Sequence, residues 1–139
     1  MKINKKEIFL TYTNALFLVP LIIGLKNEEW RIAIILGIFT ASSTLYHLFR
    51  KPGAEWWWYT KGRTGVQTFM LILEITLALA LSAWSIITLY EKSSILFGIA
   101  VILFIPGFVT FLSTNYKRYL FYHTVWHIVA AVIITFALI

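Results

Sequence analysis

The feature that most constrains this chain is its alternation of apolar runs with short clusters of charge. The runs are about 20 residues long, the length at which a helix crosses a bilayer core. In hydrocarbon the backbone must satisfy its own hydrogen bonds, so such runs fold as helices. Of the 139 residues, 60% are hydrophobic and 13% are charged, about half the charged share of an ordinary soluble domain. The mean hydropathy is +0.81. The sequence therefore reads as an all-α integral membrane protein, one transmembrane domain over residues 1–139. There is no cysteine, which excludes a disulfide framework, a thiolate metal site and a thiol nucleophile. The net charge of +6 fits cytoplasmic loops rich in Lys and Arg, and no nucleic-acid partner is expected.

Five spans are expected, at about residues 7–25, 30–49, 64–90, 93–112 and 119–139. Met1 to Lys6 has the look of a signal-peptide n-region. The apolar run behind it continues to about Leu25 with no small-residue cleavage site, so a retained first helix is expected. That helix carries a polar patch, Thr11-Tyr12-Thr13-Asn14, with Pro20 as a bend and Gly24 at its end. In the second span Ala33, Gly37 and Ala41 recur every four residues, a small-residue stripe that would let a neighbouring helix come close. The long loop Arg50–Arg63 holds Pro52-Gly53 and the belt Trp56-Trp57-Trp58-Tyr59, which suits the headgroup layer. Gln67 and Glu74 lie two turns apart on one face of the third span. Pro106-Gly107 predicts a kink in the fourth.

With the N-terminus cytoplasmic, segments 1–6, 50–63 and 113–118 face inward. They hold Lys2, Lys5, Lys6, Arg50, Lys51, Lys61, Arg63, Lys117 and Arg118, leaving Lys26, Arg31 and Lys92 for the other side. That asymmetry follows the positive-inside rule. The plasma membrane of a bacterium is the expected location.

The three histidines all fall in or beside these spans: His47 in Ser43-Thr44-Leu45-Tyr46-His47, and His123 and His127 in Tyr122-His123-Thr124-Val125-Trp126-His127. Residues four apart share a helix face, so the last pair can converge on one point. At 1.5 Å per residue, His47 lies roughly 3 Å from the cytoplasmic end of its span, Ser43 roughly 9 Å, His123 roughly 8 Å, His127 roughly 14 Å and Glu74 roughly 15 Å. Asn14 sits at comparable depth. Spans two, three and five can therefore share a pocket in the cytoplasmic half of the membrane.

Ionisable groups inside spans mark functional sites by default. Three neutral imidazoles with a fourth position open are a catalytic zinc arrangement, and zinc suits this cysteine-free set best, although iron, copper and nickel also take imidazole. Ser43 could hydrogen-bond water or an acyl oxyanion at such a site. Each feature alone has a plainer use. HxxxH can serve interhelical hydrogen bonding, and Ser43 can bond back to a carbonyl of its own helix.

The ordered set is more specific. Ser-x-x-x-His closing span two, a carboxylate in span three and His-x-x-x-His in the last span resemble the CREST superfamily of alkaline ceramidases, progestin and adipoQ receptors and myomaker-like proteins. The myomaker-like branch is the nearest match, through Tyr46-His47 with Pro52-Gly53, Leu73-Glu74 with Trp84, and Tyr122–His127. The resemblance implies a zinc-dependent membrane hydrolase cleaving a lipid amide or ester. His47, His123 and His127 would hold one Zn2+ per chain, Glu74 would act on the water, and Ser43 would assist. Relatives have seven spans, so two helices of the usual pocket wall are absent or supplied by another subunit, which admits a homo-oligomer. Many relatives carry aspartate where this chain has Glu74; Glu55 in the interfacial loop is the weaker candidate. Competing readings are a non-catalytic membrane module with a structural metal or histidine site, as in membrane remodelling or fusion, and, below it, a proton or metal-ion transporter.

Overall fold

The computed structural model describes residues 7–49, 64–111 and 116–139. Glu55, the belt Trp56-Trp57-Trp58-Tyr59 and the basic segments 1–6 and 50–63 lie outside the described residues.

Among the described residues the chain is helical apart from the turn at 27–29 and single residues at helix ends. α1 (Ile8–Thr13) passes through a 3-10 turn (Asn14–Phe17) into α2 (Leu18–Lys26), and the three together form the first long apolar rod. α3 spans Trp30–Phe49, α4 Gly65–Lys92, α5 Ser94–Phe111 and α6 Tyr116–Leu138. Four of these stretches, Ile8–Lys26, Trp30–Phe49, Gly65–Lys92 and Leu120–Leu138, are long and apolar enough to cross a membrane. α5 is apolar as well and shorter, and it continues as a helix through Pro106.

The bend expected at Pro20 takes the form of the 3-10 turn. Proline has no N–H to offer the carbonyl of Leu16, and its ring crowds that carbonyl, so the turn before it tightens. In 3-10 geometry residues i and i+3 eclipse, which keeps Asn14 and Phe17 on one face, and both are buried. At the far end of α2 the chain reverses in a Schellman motif. The Glu29 N–H donates to Gly24 O at 2.8 Å and the Glu28 N–H to Leu25 O at 3.4 Å. Glu28 occupies the left-handed position with φ 60°, where glycine is usual.

The small-residue stripe of α3 does not form the close contact expected of it. Ala33 packs beside Gly24, whose notional Cβ would sit 3.6 Å from the Ala33 methyl, but nothing lies within 4 Å of a Cβ placed on Gly37. Ala41 is exposed. A four-residue repeat drifts about 40° per step on a helix of 3.6 residues per turn, so the stripe winds off the interface. The buried line is Ile32, Leu36, Phe39, Ser43, Tyr46 and His47 instead.

The core sits in two blocks. Phe17, Ile32, Leu36, Phe39, Leu81, Ala131, Ile134 and Leu138 join the 3-10 turn, α3, α4 and α6 in the middle, with the Phe17 and Phe39 rings edge to face at 4.9 Å. Leu89, Ala100, Ile133 and Ala137 join α4, α5 and α6 toward the opposite end from the histidines. Large apolar side chains such as Ile95, Ile102 and Phe69 point outward, as they would toward lipid. Two polar links close the end of α6, whose last carbonyls have no partner within the helix. Asn27 Nδ2 donates to Leu138 O at 2.7 Å, and Lys92 Nζ to Ala137 O at 2.8 Å.

Candidate metal centre

Chain direction brings the polar residues together. The beginning of α1, the end of α3 and the beginnings of α4 and α6 all lie at one end of the bundle. There His47, Glu74, His123 and His127 are all buried, and each offers a ligand atom within 4.8 Å of the others, a group that could hold a metal ion. The depths reckoned from the sequence thus correspond to a real convergence. His47 sits in the last turn of α3; His123 and His127 stack one turn apart on α6, their ring centroids 4.6 Å apart. The His47 ring lies 4.9 Å from that of His123 and 5.8 Å from that of His127.

The inner distances fit a small cation. His47 Nε2 is 3.1 Å from His123 Nε2 and 3.4 Å from Glu74 Oε1, and His123 Nε2 is 4.0 Å from Glu74 Oε1. Ligand atoms about 2.0–2.1 Å from a tetrahedral zinc lie roughly 3.3 Å from one another. Two of these three edges fall close to that length. The donor set, imidazole nitrogen with one carboxylate oxygen, is also zinc-like.

The outer nitrogens have partners that leave the inner ones available. His47 Nδ1 lies 3.0 Å from Glu7 Oε2, and both side chains are fully buried. A carboxylate only accepts, so Nδ1 carries a proton, and with a cation at the common point Nε2 would be the ligand atom. His127 Nδ1 lies 2.7 Å from Thr13 Oγ1. The Thr13 hydroxyl is also 2.8 Å from Leu10 O; a carbonyl only accepts, so both contacts are satisfied together when Thr13 donates to Leu10 O and accepts from His127 Nδ1–H, the tautomer that leaves Nε2 as the ligand atom. Below the site the Phe17 ring meets His127 edge on at 5.7 Å, closing that side with hydrocarbon.

Ser43 does not bond back to its own helix. That is done by its neighbour Ser42, whose hydroxyl donates to Phe39 O at 3.0 Å. Ser43 Oγ reaches across to Glu74 Oε1 at 2.7 Å and to the Asn14 side chain at 3.1 Å. Its single proton serves the shorter contact, to Glu74. The Asn14 amide, turned end for end, then gives its NH2 to Ser43 Oγ. Ser43 thus ties Glu74 to the first span. Gln67, which shares the face of Glu74, takes no part. It completes a capping box with Thr64, and its Nε2 donates to Phe49 O at 2.7 Å, joining the start of α4 to the end of α3.

The five residues singled out in the sequence, Ser43, His47, Glu74, His123 and His127, lie in one buried cluster. Glu74 stands among the ligand-type atoms as well as beside Ser43. Sequence reasoning missed Glu7 and Thr13 as partners of the histidines. The available signal was the spacing of Glu7 and Asn14, seven residues apart and hence on one helix face, flanking a polar patch in an apolar run. No family model, characterised protein or solved structure matches the chain, so the family resemblance rests on the motif residues alone.

Proposed function

We propose that the chain is a zinc-dependent intramembrane hydrolase of a lipid amide or ester, with His47, His123 and His127 as ligands of one Zn2+. The observation that carries this reading is the convergence of four buried ligand-type side chains from three helices, two of them with Nδ1 committed to outer partners. Zinc held by imidazoles acidifies water toward neutrality and polarises a carbonyl. In this reading Glu74 takes a proton from water at the site and returns it to the leaving group. Ser43, holding Glu74 Oε1, keeps that carboxylate aimed. The surrounding hydrocarbon excludes bulk water and favours a substrate that enters from the lipid.

In this reading the N-terminus is cytoplasmic, α5 completes a five-span bundle, and the site opens near the cytoplasmic face of a bacterial plasma membrane. The basic segments 1–6, 50–63 and 113–118 support that orientation through the positive-inside rule. A homo-oligomer would supply pocket wall that five spans leave out.

One observation favours a second reading. Glu74 Oε1 lies 3.4 Å from His47 Nε2, close enough to be a fourth ligand, and a site with four protein ligands is closed and structural. The chain would then be a non-catalytic membrane module whose metal ties α3, α4 and α6 together. Protein purified in detergent should contain about one zinc per chain. Absence of zinc, iron and copper would sink both metal readings. Release of fatty acid or amine from a panel of membrane lipids, lost in Glu74→Gln while the zinc stays, selects the hydrolase. No turnover of any lipid by zinc-loaded protein selects the structural site.

A further inference from the structure

We infer that α1 is the positioning element of the metal centre, with Glu7 holding His47 and Thr13 holding His127 so that both Nε2 atoms face the common point. The inference rests on the metal reading above and adds residues outside the ligand set.

The sequence gives Glu7 a different appearance. It follows Lys5-Lys6 and reads as one more interfacial charge at the mouth of a span. In the fold it is fully buried, as deep by exposure as His47 itself. A carboxylate in that position is costly unless it is hydrogen-bonded, and it bonds the outer nitrogen of a candidate ligand, His47. Carboxylate–imidazole–metal arrays of this kind fix the ring tautomer, orient the ring and raise the basicity of the inner nitrogen.

Thr13 acts in the same sense without charge. Its hydroxyl lies 2.8 Å from Leu10 O and 2.7 Å from His127 Nδ1, and it serves both when it donates to the carbonyl and accepts from the ring. Two ligands from different helices thus receive the same tautomer from one short segment, Glu7 to Thr13. Asn14, the next residue, contacts Ser43. The 3-10 turn that follows Thr13 then rotates the rod so that Phe17 packs under His127. A purely cohesive role for these contacts would leave ligand basicity unaffected; a positioning role makes zinc affinity depend on them.

The test uses full-length protein in detergent, stripped of metal and titrated with zinc against a fluorescent zinc chelator. Thermal unfolding of the metal-free form is followed in parallel. Glu7→Ala is expected to weaken zinc binding roughly 10- to 100-fold, the usual span for loss of an outer-sphere partner. Glu7→Gln keeps an acceptor for Nδ1 without the charge and is expected to fall between wild type and Glu7→Ala. Thr13→Val should weaken binding less than Glu7→Ala. Cobalt substituted for zinc reports ligand geometry directly, and its visible absorption should shift in Glu7→Gln. Glu7→Gln with unchanged zinc affinity and an unchanged cobalt spectrum, even if the metal-free form melts lower, overturns the inference and leaves the metal reading intact. Wild-type protein that binds neither metal overturns both.

Discussion

His47 Nε2 and His123 Nε2 face each other at 3.1 Å across the space between α3 and α6. Two nitrogen lone pairs at that separation repel, so something positive must lie between them: a proton on one ring or a cation shared by both. The outer bond of His47 to Glu7 places its proton on Nδ1. With Glu74 Oε1 also within 4.0 Å of both inner nitrogens, a shared cation satisfies all three groups at once.

Removing one ligand tests that sharing. His127→Ala and His123→Ala are each expected to lower metal content from about one per chain to background, since a three-imidazole site needs every ring. Elemental analysis of detergent-purified protein checks this. Retention of a full equivalent by either variant would refute the assignment.

Glu74→Gln separates chemistry from architecture. Glutamine still accepts from Ser43 and fills the same volume, but it cannot carry a proton between water and leaving group. If Glu74 is the general base, lipid turnover falls by about 10²- to 10⁴-fold, with zinc content measured in the same sample remaining near one. If Glu74 is a needed fourth ligand, zinc is lost instead.

Glu28 offers a gain in stability remote from the site. A non-glycine residue in the left-handed region costs roughly 1–2 kcal/mol, and Glu28 occupies that region at φ 60°. Glu28→Gly is expected to raise unfolding free energy by about 1 kcal/mol, read from denaturant titration in detergent, with metal content unchanged. A lower stability would show that the carboxylate contributes something beyond its backbone.

Packing and lipid contact should differ sharply in cost. Leu36 is fully buried in the central block, so Leu36→Ala opens a cavity worth about 2 kcal/mol or more. Ile102 is 70% exposed on α5; Ile102→Ala exchanges one lipid contact for another and should change stability by less than about 0.5 kcal/mol. The same unfolding measurement compares them, and equal losses would place Ile102 in a buried contact.

Much of this was legible in the sequence because polar groups in hydrocarbon are conspicuous. Helix rise converts position to depth, and depth alone put Ser43, His47, Glu74, His123 and His127 in the same half of the membrane. Rotation about the helix axis is less readable. Ala33, Gly37 and Ala41 look like a stripe on paper, yet each four-residue step turns about 40° away, and by Ala41 the face is exposed. Glu7 was hidden for a related reason. Its depth at the span's edge matched an interfacial charge, and only the packing of α1 against α3 shows that it points inward to His47. Gln67 looked like a companion of Glu74 and serves the helix end, because a capping box uses the first turn and Glu74 lies two turns further in.

The bond from Thr13 to His127 joins residues 114 positions apart. During synthesis the first span therefore enters the membrane with Glu7, Thr13 and Asn14 lacking the partners they will finally have. Two of those partners, His47 and Ser43, arrive with α3, and the last, His127, only when α6 has been made. Assembly of the candidate metal centre is consequently a late event in biogenesis. Until α6 docks, Thr13 lacks its histidine partner, and loading of a metal at the cluster would report that the whole bundle has closed.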